Sequence, residues 1–369
     1  MAREISVCHV VNSAGDASIP AEFATAQASL NEFVQVGILA WFDIKSFRNM
    51  ASTDVSSLNI SSRLLIDRSQ YTMAKSILSE YDIIHTHHPH SGFYGKIIAK
   101  RLGIPVVQTE HNNRDGYTKK GRIASGITNI LADRVACVSQ SVRESFMQWE
   151  SAILRDKNVS VIYNGVNMDR VESAQNVEWS IHDMVDIDSG AVVVGSAGML
   201  TEQKAHDVLI EAVDRLNAES GQSIELVISG DGGLQEQLEA QISNADYSNR
   251  LHLLGFLERR EQVYKMMSEI DIYVMPSRWE GFCVAALEAM ALGTPCVLSD
   301  IPVFREVYDD AALYHSIDDP QSVAEQLFYL IEHPSKYAVY KDRGQELSDS
   351  YTLEKTVLEY TDLYKSIID

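Results

Sequence analysis

Short apolar runs alternate along the chain with stretches whose apolar positions recur at helical spacing. Strand-like runs fall at 5–11, 82–87, 105–109, 134–138 and 159–163, then at 191–196, 224–229, 251–254, 271–275, 295–298 and 312–314. Helix-like stretches lie between them, at 93–101, 140–149, 206–216, 234–242, 260–267 and 322–331. This alternation predicts β-α-β units on parallel sheets with helices on both faces. Such sheets take ligands at the carboxyl ends of their strands, where strand order reverses. The strand series breaks between about 164 and 190, a polar and acidic stretch that reads as a linker into a second α/β domain. Two such domains predict a ligand cleft between them.

Length agrees with two domains, because 369 residues exceed what one core usually supports. The chain is 45% hydrophobic and 22% charged, the mix of a globular protein. Its net charge of −21 argues against a protein that coats nucleic acid. The four cysteines, Cys8, Cys137, Cys283 and Cys296, form no C-x-x-C pair, which suits buried thiols in a reducing compartment. The first residues lack the pattern of a secretory signal, and no apolar stretch is long enough to span a bilayer. A cytoplasmic protein is the expectation.

The densest candidate chemistry is Pro276-Ser277-Arg278-Trp279-Glu280-Gly281-Phe282-Cys283, followed by a helix from about Val284. A helix that opens just after a strand presents free N–H groups to an anion. Glu288 lies within that helix, in otherwise apolar surroundings. A buried acid without a partner is costly, so a ligand hydroxyl is one expected partner and a solvated surface position the other reading. A second strand-to-helix turn carries Gly198, Met199, Leu200 and Lys204, where the glycine permits close approach and the lysine offers a charge for a phosphate. Gly230-Asp231-Gly232-Gly233 is a third such crossing, equally readable as a plain tight turn.

Four histidines fall within His85–His90, and His111 follows the strand at 105–109. The spacing lacks the acidic or cysteine ligands of known metal motifs, and no metal is expected. His111 is the better candidate to line a ligand site. Arg114, Lys119, Lys120 and Arg122 form a basic cluster, readable as a solvated loop or as a contact for an anionic acceptor or membrane.

Taken in order, these motifs resemble family 4 of the nucleotide-sugar-dependent retaining glycosyltransferases. Glu280 and Glu288 match its paired acids with seven residues between, in a Pro-Ser-x-x-Glu-Gly-Phe setting. Asn164-Gly165-Val166, Gly198-Met199-Leu200 with Lys204, Gly230-Asp231-Gly232 and Thr109-x-His111 match its other motifs. The resemblance implies the GT-B architecture, two Rossmann-like α/β domains with parallel sheets facing across a cleft. Residues 1–170 would form the acceptor-side domain, with a C-terminal helix at about 352–369 packing back on it. Residues 171–351 would form the donor domain.

By position, Glu280, His111 and Lys204 would be catalytic. Gly198, Lys204, Gly230, Gly281, Phe282, Cys283, Glu288 and Glu306 would hold the donor. Gly15, His87, Arg114, Lys119 and Lys120 would lie on the acceptor side. The resemblance further implies a glycan or lipid-linked acceptor in surface polysaccharide or glycoconjugate synthesis, no cofactor or metal, and UDP as first choice of nucleotide. Three departures stand out: Met199 where members often have arginine, Cys283 where many have glycine, and one glycine, Gly15, in place of a pair after the first strand. Two other readings remain open, an epimerase or phosphorylase on the same fold and a non-catalytic partner subunit.

Residues 1–170 hold 18 basic and 16 acidic side chains, against 13 and 36 in residues 171–369. The acid therefore belongs to the second half. The first half is free to meet an anionic lipid surface, so peripheral contact with the inner face of the membrane joins the expectations.

Overall fold

The protein is described by a computed structural model covering residues 5–15, 18–31, 33–44, 53–60, 66–154 and 159–368. The chain divides into two compact units, Met1–Asn164 with Leu353–Asp369, and Gly165–Thr352.

The first unit is built on seven parallel strands, β1 (Ile5–Val11), β2 (Val34–Ala40), β3 (Asp54–Ser57), β4 (Ile83–Thr86), β5 (Val106–Glu110), β6 (Arg134–Cys137) and β7 (Val159–Val161). Their order is β3-β2-β1-β4-β5-β6-β7. The second unit has six parallel strands, β8 (Val192–Ala197), β9 (Ile224–Ser229), β10 (Leu251–Gly255), β11 (Ile272–Met275), β12 (Cys296–Ser299) and β13 (Ala312–His315). These run β10-β9-β8-β11-β12-β13. Each sheet thus reverses its winding once, between β1 and β4 and between β8 and β11. Those reversals leave open crevices at the carboxyl ends of the strands. Buried apolar side chains cover the sheets, with Val194, Leu226, Val274 and Val297 at the heart of the second. No helix among the described residues is long and apolar enough to cross a membrane.

Some elements depart from the sequence expectations. β2, β3 and the helix Ile19–Leu30 were not among the expected elements. The stretch expected as one helix at 140–149 is two, Gln140–Glu144 and Gln148–Leu154. The break falls at Ser145, whose hydroxyl turns back to donate to the Val142 carbonyl at 2.7 Å. The boundary between units falls at 164/165 rather than 170/171. The helix Met168–Ser173 spans the expected boundary, and it packs on the second unit's helices Arg260–Glu269 and Val284–Ala291.

The last helix, Leu353–Ile368, belongs to the first unit and buries Val357, Tyr360 and Tyr364 there. Asn31 Nδ2 donates to Thr361 Oγ1 at 2.7 Å, tying this helix to the turn before β2.

Candidate active site

In the second unit the candidate residues gather at the β8/β11 reversal. Gly198 follows β8, Gly230 follows β9 and Glu280 follows β11. The two glycine turns touch. At Gly230, with φ +150°, an added Cβ would stand 1.9 Å from the Gly198 carbonyl oxygen, so only glycine fits. Lys204 lies over Gly198, where an added Cβ would sit 3.3 Å from the lysine Cε. Its ammonium donates to Glu280 Oε1 at 2.6 Å, and Ser277 Oγ donates to the same oxygen at 2.8 Å. Burial opposes the lysine's charge, but Glu280 beside it outweighs that and holds the ammonium above its ordinary range. The lysine is therefore charged at neutral pH.

Gly281, Phe282 and Cys283 lead from Glu280 into the helix Val284–Ala291, which carries no side-chain cap. Its first N–H groups are thus available to an anion. Cys283 occupies the left-handed region at φ +72°, a conformation that favours glycine and explains glycine in that place elsewhere in the family pattern. The Tyr308 hydroxyl donates to the Cys283 carbonyl at 2.5 Å and holds this turn. Glu306 is half-buried on the helix Pro302–Tyr308.

Glu288 corrects one expectation. It is buried, but it does not await a partner. Arg260 Nη2 donates to both its oxygens, at 2.5 and 2.6 Å, and the Tyr264 hydroxyl donates at 2.7 Å. Arg260 keeps 20% of its side chain exposed, so the acid and the guanidinium together reach the surface. Met199, at the departure from arginine, is 64% exposed. Arg278, another cation of this region, is committed to Asp318 at 2.6 Å and Asp207 at 3.1 Å. Lys204 lies over the Gly198 turn as a cation.

In the first unit the histidines gather at the β1/β4 reversal. Gly15 is buried in the loop after β1, and its neighbour Asp16 lies outside the described residues. His87 follows β4 and His111 follows β5. His87 Nδ1 and His111 Nε2 are 3.1 Å apart, and His87 Nε2 lies 2.9 Å from Nδ1 of His9 on β1. His9 Nε2 meets Gln27 Oε1 at 3.0 Å. His85 is held by Tyr364 at 2.6 Å and Thr109 at 2.7 Å. Single nitrogens of His9, His85 and His87 come within 4.8 Å of one another, close enough for a metal. Every ring nitrogen of the three already has a hydrogen-bond partner.

Burial pushes His9 and His88 down to about 4 and His111 to about 3. It pushes His85 and His87 well below their ordinary value. Below about pH 6.5 the unfolded chain binds protons that the folded unit refuses. Stability should therefore be full above about pH 6.5 and fall as the pH drops, by about 1.4 kcal/mol per pH unit for each histidine that stays neutral. Thermal unfolding between pH 7.5 and pH 5 checks this, and a constant melting temperature would contradict it.

Arg114 departs most from expectation. It is fully buried, donating to Glu110 at 2.6 Å and Glu150 at 2.8 Å, and so does not face an acceptor. Two carboxylates neutralise it, and Lys96, pushed down to about 8 by burial, lies nearby. The helix Lys119–Asn129 packs its polar face on this network, with Asn129 Nδ2 donating to Glu150 at 3.0 Å. Lys119 and Lys120 remain exposed at its start. Arg260, Tyr264, His9 and Gln27 were not anticipated. Each stands in an ordinary helix or strand, with no motif around it.

Two family models divide most of the chain. Glycosyltransferase Family 4 matches residues 34–170, and Glycosyl transferases group 1 matches residues 177–347. The O-antigen biosynthesis glycosyltransferase WclY of Escherichia coli is 26% identical over 309 residues, 79% of this chain and 81% of that protein. The UDP-Gal:alpha-D-GlcNAc-diphosphoundecaprenol alpha-1,3-galactosyltransferase of Escherichia coli is 26% identical over 303 residues, 78% of this chain and 76% of the relative. HepE of Anabaena, solved with UDP and glucose, superposes with a TM-score of 0.80 at 18% identity, over 98% of this chain and 100% of its own. With both halves matched and both sheets wound for the fold, the chain belongs to the family 4 glycosyltransferases.

Proposed function

We propose that this glycosyltransferase moves a sugar from a nucleoside diphosphate, UDP by preference, to a glycan or lipid-linked acceptor in surface polysaccharide assembly. The transfer retains anomeric configuration and needs no metal. The observation that carries this reading is the Lys204–Glu280 pair, held at 2.6 Å beside the Gly198 turn, against which Gly230 packs too closely for any larger residue. A diphosphate there would meet a fixed cation and the uncapped N-terminus of the helix Val284–Ala291. Both stabilise charge as the bond from the sugar C1 to the phosphate oxygen breaks. The acceptor oxygen bonds to C1 on the same face, and its proton goes to the departing phosphate oxygen. Glu288 with Arg260 is the natural seat for the ribose hydroxyls. UDP-sugar complexes of HepE and the undecaprenol-linked substrate named for the galactosyltransferase support the choice of donor and acceptor class. The deciding experiment incubates the protein with UDP-sugars and diphosphoundecaprenol-linked sugar in EDTA and reads the product linkage by NMR. An inverted linkage, or transfer abolished by EDTA, would refute the mechanism; donor cleavage without transfer would refute the function.

The proposed lipid-linked acceptor lies at a membrane, and the helix Lys119–Asn129 offers a surface for one. Its inward face is Ser125, Gly126, Thr128 and Asn129, while Ile123 and Ile127, with Ile130 next to them, are 50%, 54% and 42% exposed. This helix is inverted because it docks on a buried charge network. Lys119, Lys120 and Arg122 flank the apolar stripe, Arg122 sharing its charge with Asp115 at 3.2 Å. An apolar stripe beside cations suits an anionic bilayer. The protein should float with phosphatidylglycerol vesicles at low salt but not with phosphatidylcholine. Ile123→Asp with Ile127→Asp should abolish flotation. Binding unchanged in that double variant, or a dimer that covers the stripe, would overturn the assignment.

A further inference from the structure

A neutral imidazole has one N–H and one bare nitrogen. A row of hydrogen-bonded neutral imidazoles therefore has a direction, and the group at one end sets the proton position at the other. The first unit contains such a row. Gln27 Oε1, His9, His87 and His111 follow one another at 3.0, 2.9 and 3.1 Å, and both Gln27 and His9 are fully buried. The end of the Gln27 amide that meets His9 is its carbonyl oxygen. A carbonyl only accepts, so His9 must carry its proton on Nε2 and present a bare Nδ1. His87 then donates from Nε2 and presents a bare Nδ1. His111 donates from Nε2 in its turn, and its own Nδ1 is left bare.

We propose that Gln27, His9 and His87 are positioning residues that fix the tautomer of His111 and leave its Nδ1 a hydrogen-bond acceptor. Its bearing on sugar transfer rests on the match of Thr109-x-His111 to the family motif, which implies a catalytic His111. A bare Nδ1 accepts from a sugar hydroxyl and cannot donate to a phosphate oxygen. The row thus selects for a hydroxyl donor at this point of the substrate. Burial, which keeps all three rings neutral, is what preserves the direction, because a doubly protonated ring would end it. Turning the Gln27 amide over would reverse the whole row and present an N–H from His111 instead. One buried amide therefore governs the chemistry of a ring two histidines away.

The test uses the full chain with 15N-labelled histidine, His111 being identified by the signal lost in His111→Asn. Bare and protonated ring nitrogens resonate far apart. The expected spectrum has His111 Nδ1 bare and Nε2 protonated. Gln27→Glu, which as the carboxylate can only accept, should keep that pattern and near-normal turnover at a pH where it is ionised. Gln27→Leu should give mixed tautomers and lower kcat about tenfold, the worth of one neutral hydrogen bond, with little change in donor KM. A protonated Nδ1 in the unaltered protein, or an unaltered tautomer in Gln27→Leu, would overturn the proposal. The spectra separate this from the reading it rests on. If the tautomers behave as stated but His111→Asn transfers sugar normally, the row exists and the placing of His111 at the reaction is wrong.

Discussion

Lys204→Ala should lower kcat/KM for the nucleotide-sugar about a thousandfold and leave the fold intact. Two effects act together. The first is loss of a fixed positive charge where the leaving diphosphate develops its own, an effect of about 3–4 kcal/mol in a site shielded from water. The second is the exposure of Glu280. Its Oε1 loses the ammonium at 2.6 Å and keeps only the Ser277 hydroxyl, so a carboxylate now faces the incoming phosphates. Because Glu280 holds the lysine above its ordinary range, the defect should be the same from pH 6 to pH 9. Lys204→Ala with Glu280→Gln should recover part of the binding by removing the repulsion. Steady-state kinetics with donor-binding calorimetry measure both effects. Near-normal kcat/KM in Lys204→Ala would remove this lysine from the site, since Arg278 is already held by two acids.

The second large effect is expected for Glu288→Ala, and it should appear in stability as well as binding. The carboxylate is 1% exposed and accepts from Arg260 and from Tyr264, itself fully buried. Its removal takes from the Arg260 guanidinium and the buried Tyr264 hydroxyl the carboxylate to which both donate. Breaking a buried pair in this way costs about 3–5 kcal/mol; water can reach Arg260, so about 3 kcal/mol is expected. For a unit of this size that is a fall of about 6–12 °C in Tm. Donor affinity should drop about a hundredfold. Glu288→Gln keeps an acceptor for Tyr264 and should recover most of the stability but little of the affinity. Melting curves with and without UDP distinguish the two losses. A Glu288→Ala protein as stable as the original would show that Arg260 and Tyr264 find other partners.

The legible parts of this molecule were those with a local signature. Eleven strand runs were readable because each is an apolar stretch between turn residues, and the glycine and acid motifs lie at strand ends where backbone demands are sharp. β3 was not readable, since Asp54–Ser57 is a short edge strand without an apolar run. Glu288 was read as an acid in an apolar helix, correctly, but its partner was not, because Arg260 stands 28 residues earlier on a helix like any other. Arg114 was misread for the converse reason. In sequence it sits among Lys119, Lys120 and Arg122, while its charge is answered by Glu110 and by Glu150, 36 residues on. The histidine row depends on a glutamine in a helix that the apolar pattern did not disclose. Local spacing finds backbone roles; it does not find which distant charge a buried side chain meets.

The closing segment Leu353–Asp369 has a consequence for the order in which the protein is made. The first unit's polypeptide emerges from the ribosome early, yet its core lacks Tyr360 and Tyr364 until the whole second unit has been made. The second unit, Gly165–Thr352, is one unbroken stretch of chain made before that segment. It also ties its own ends together, Val166 N–H donating to the Tyr351 carbonyl at 2.8 Å beside a bridge between Val166 and Thr352. A chain closure that spans 330 residues from Asn31 to Thr361 is thereby reduced to a short one once the second unit has folded. The second unit is in effect an inserted clasp: the nascent first unit waits half-built, and the folding of its insert delivers the missing helix.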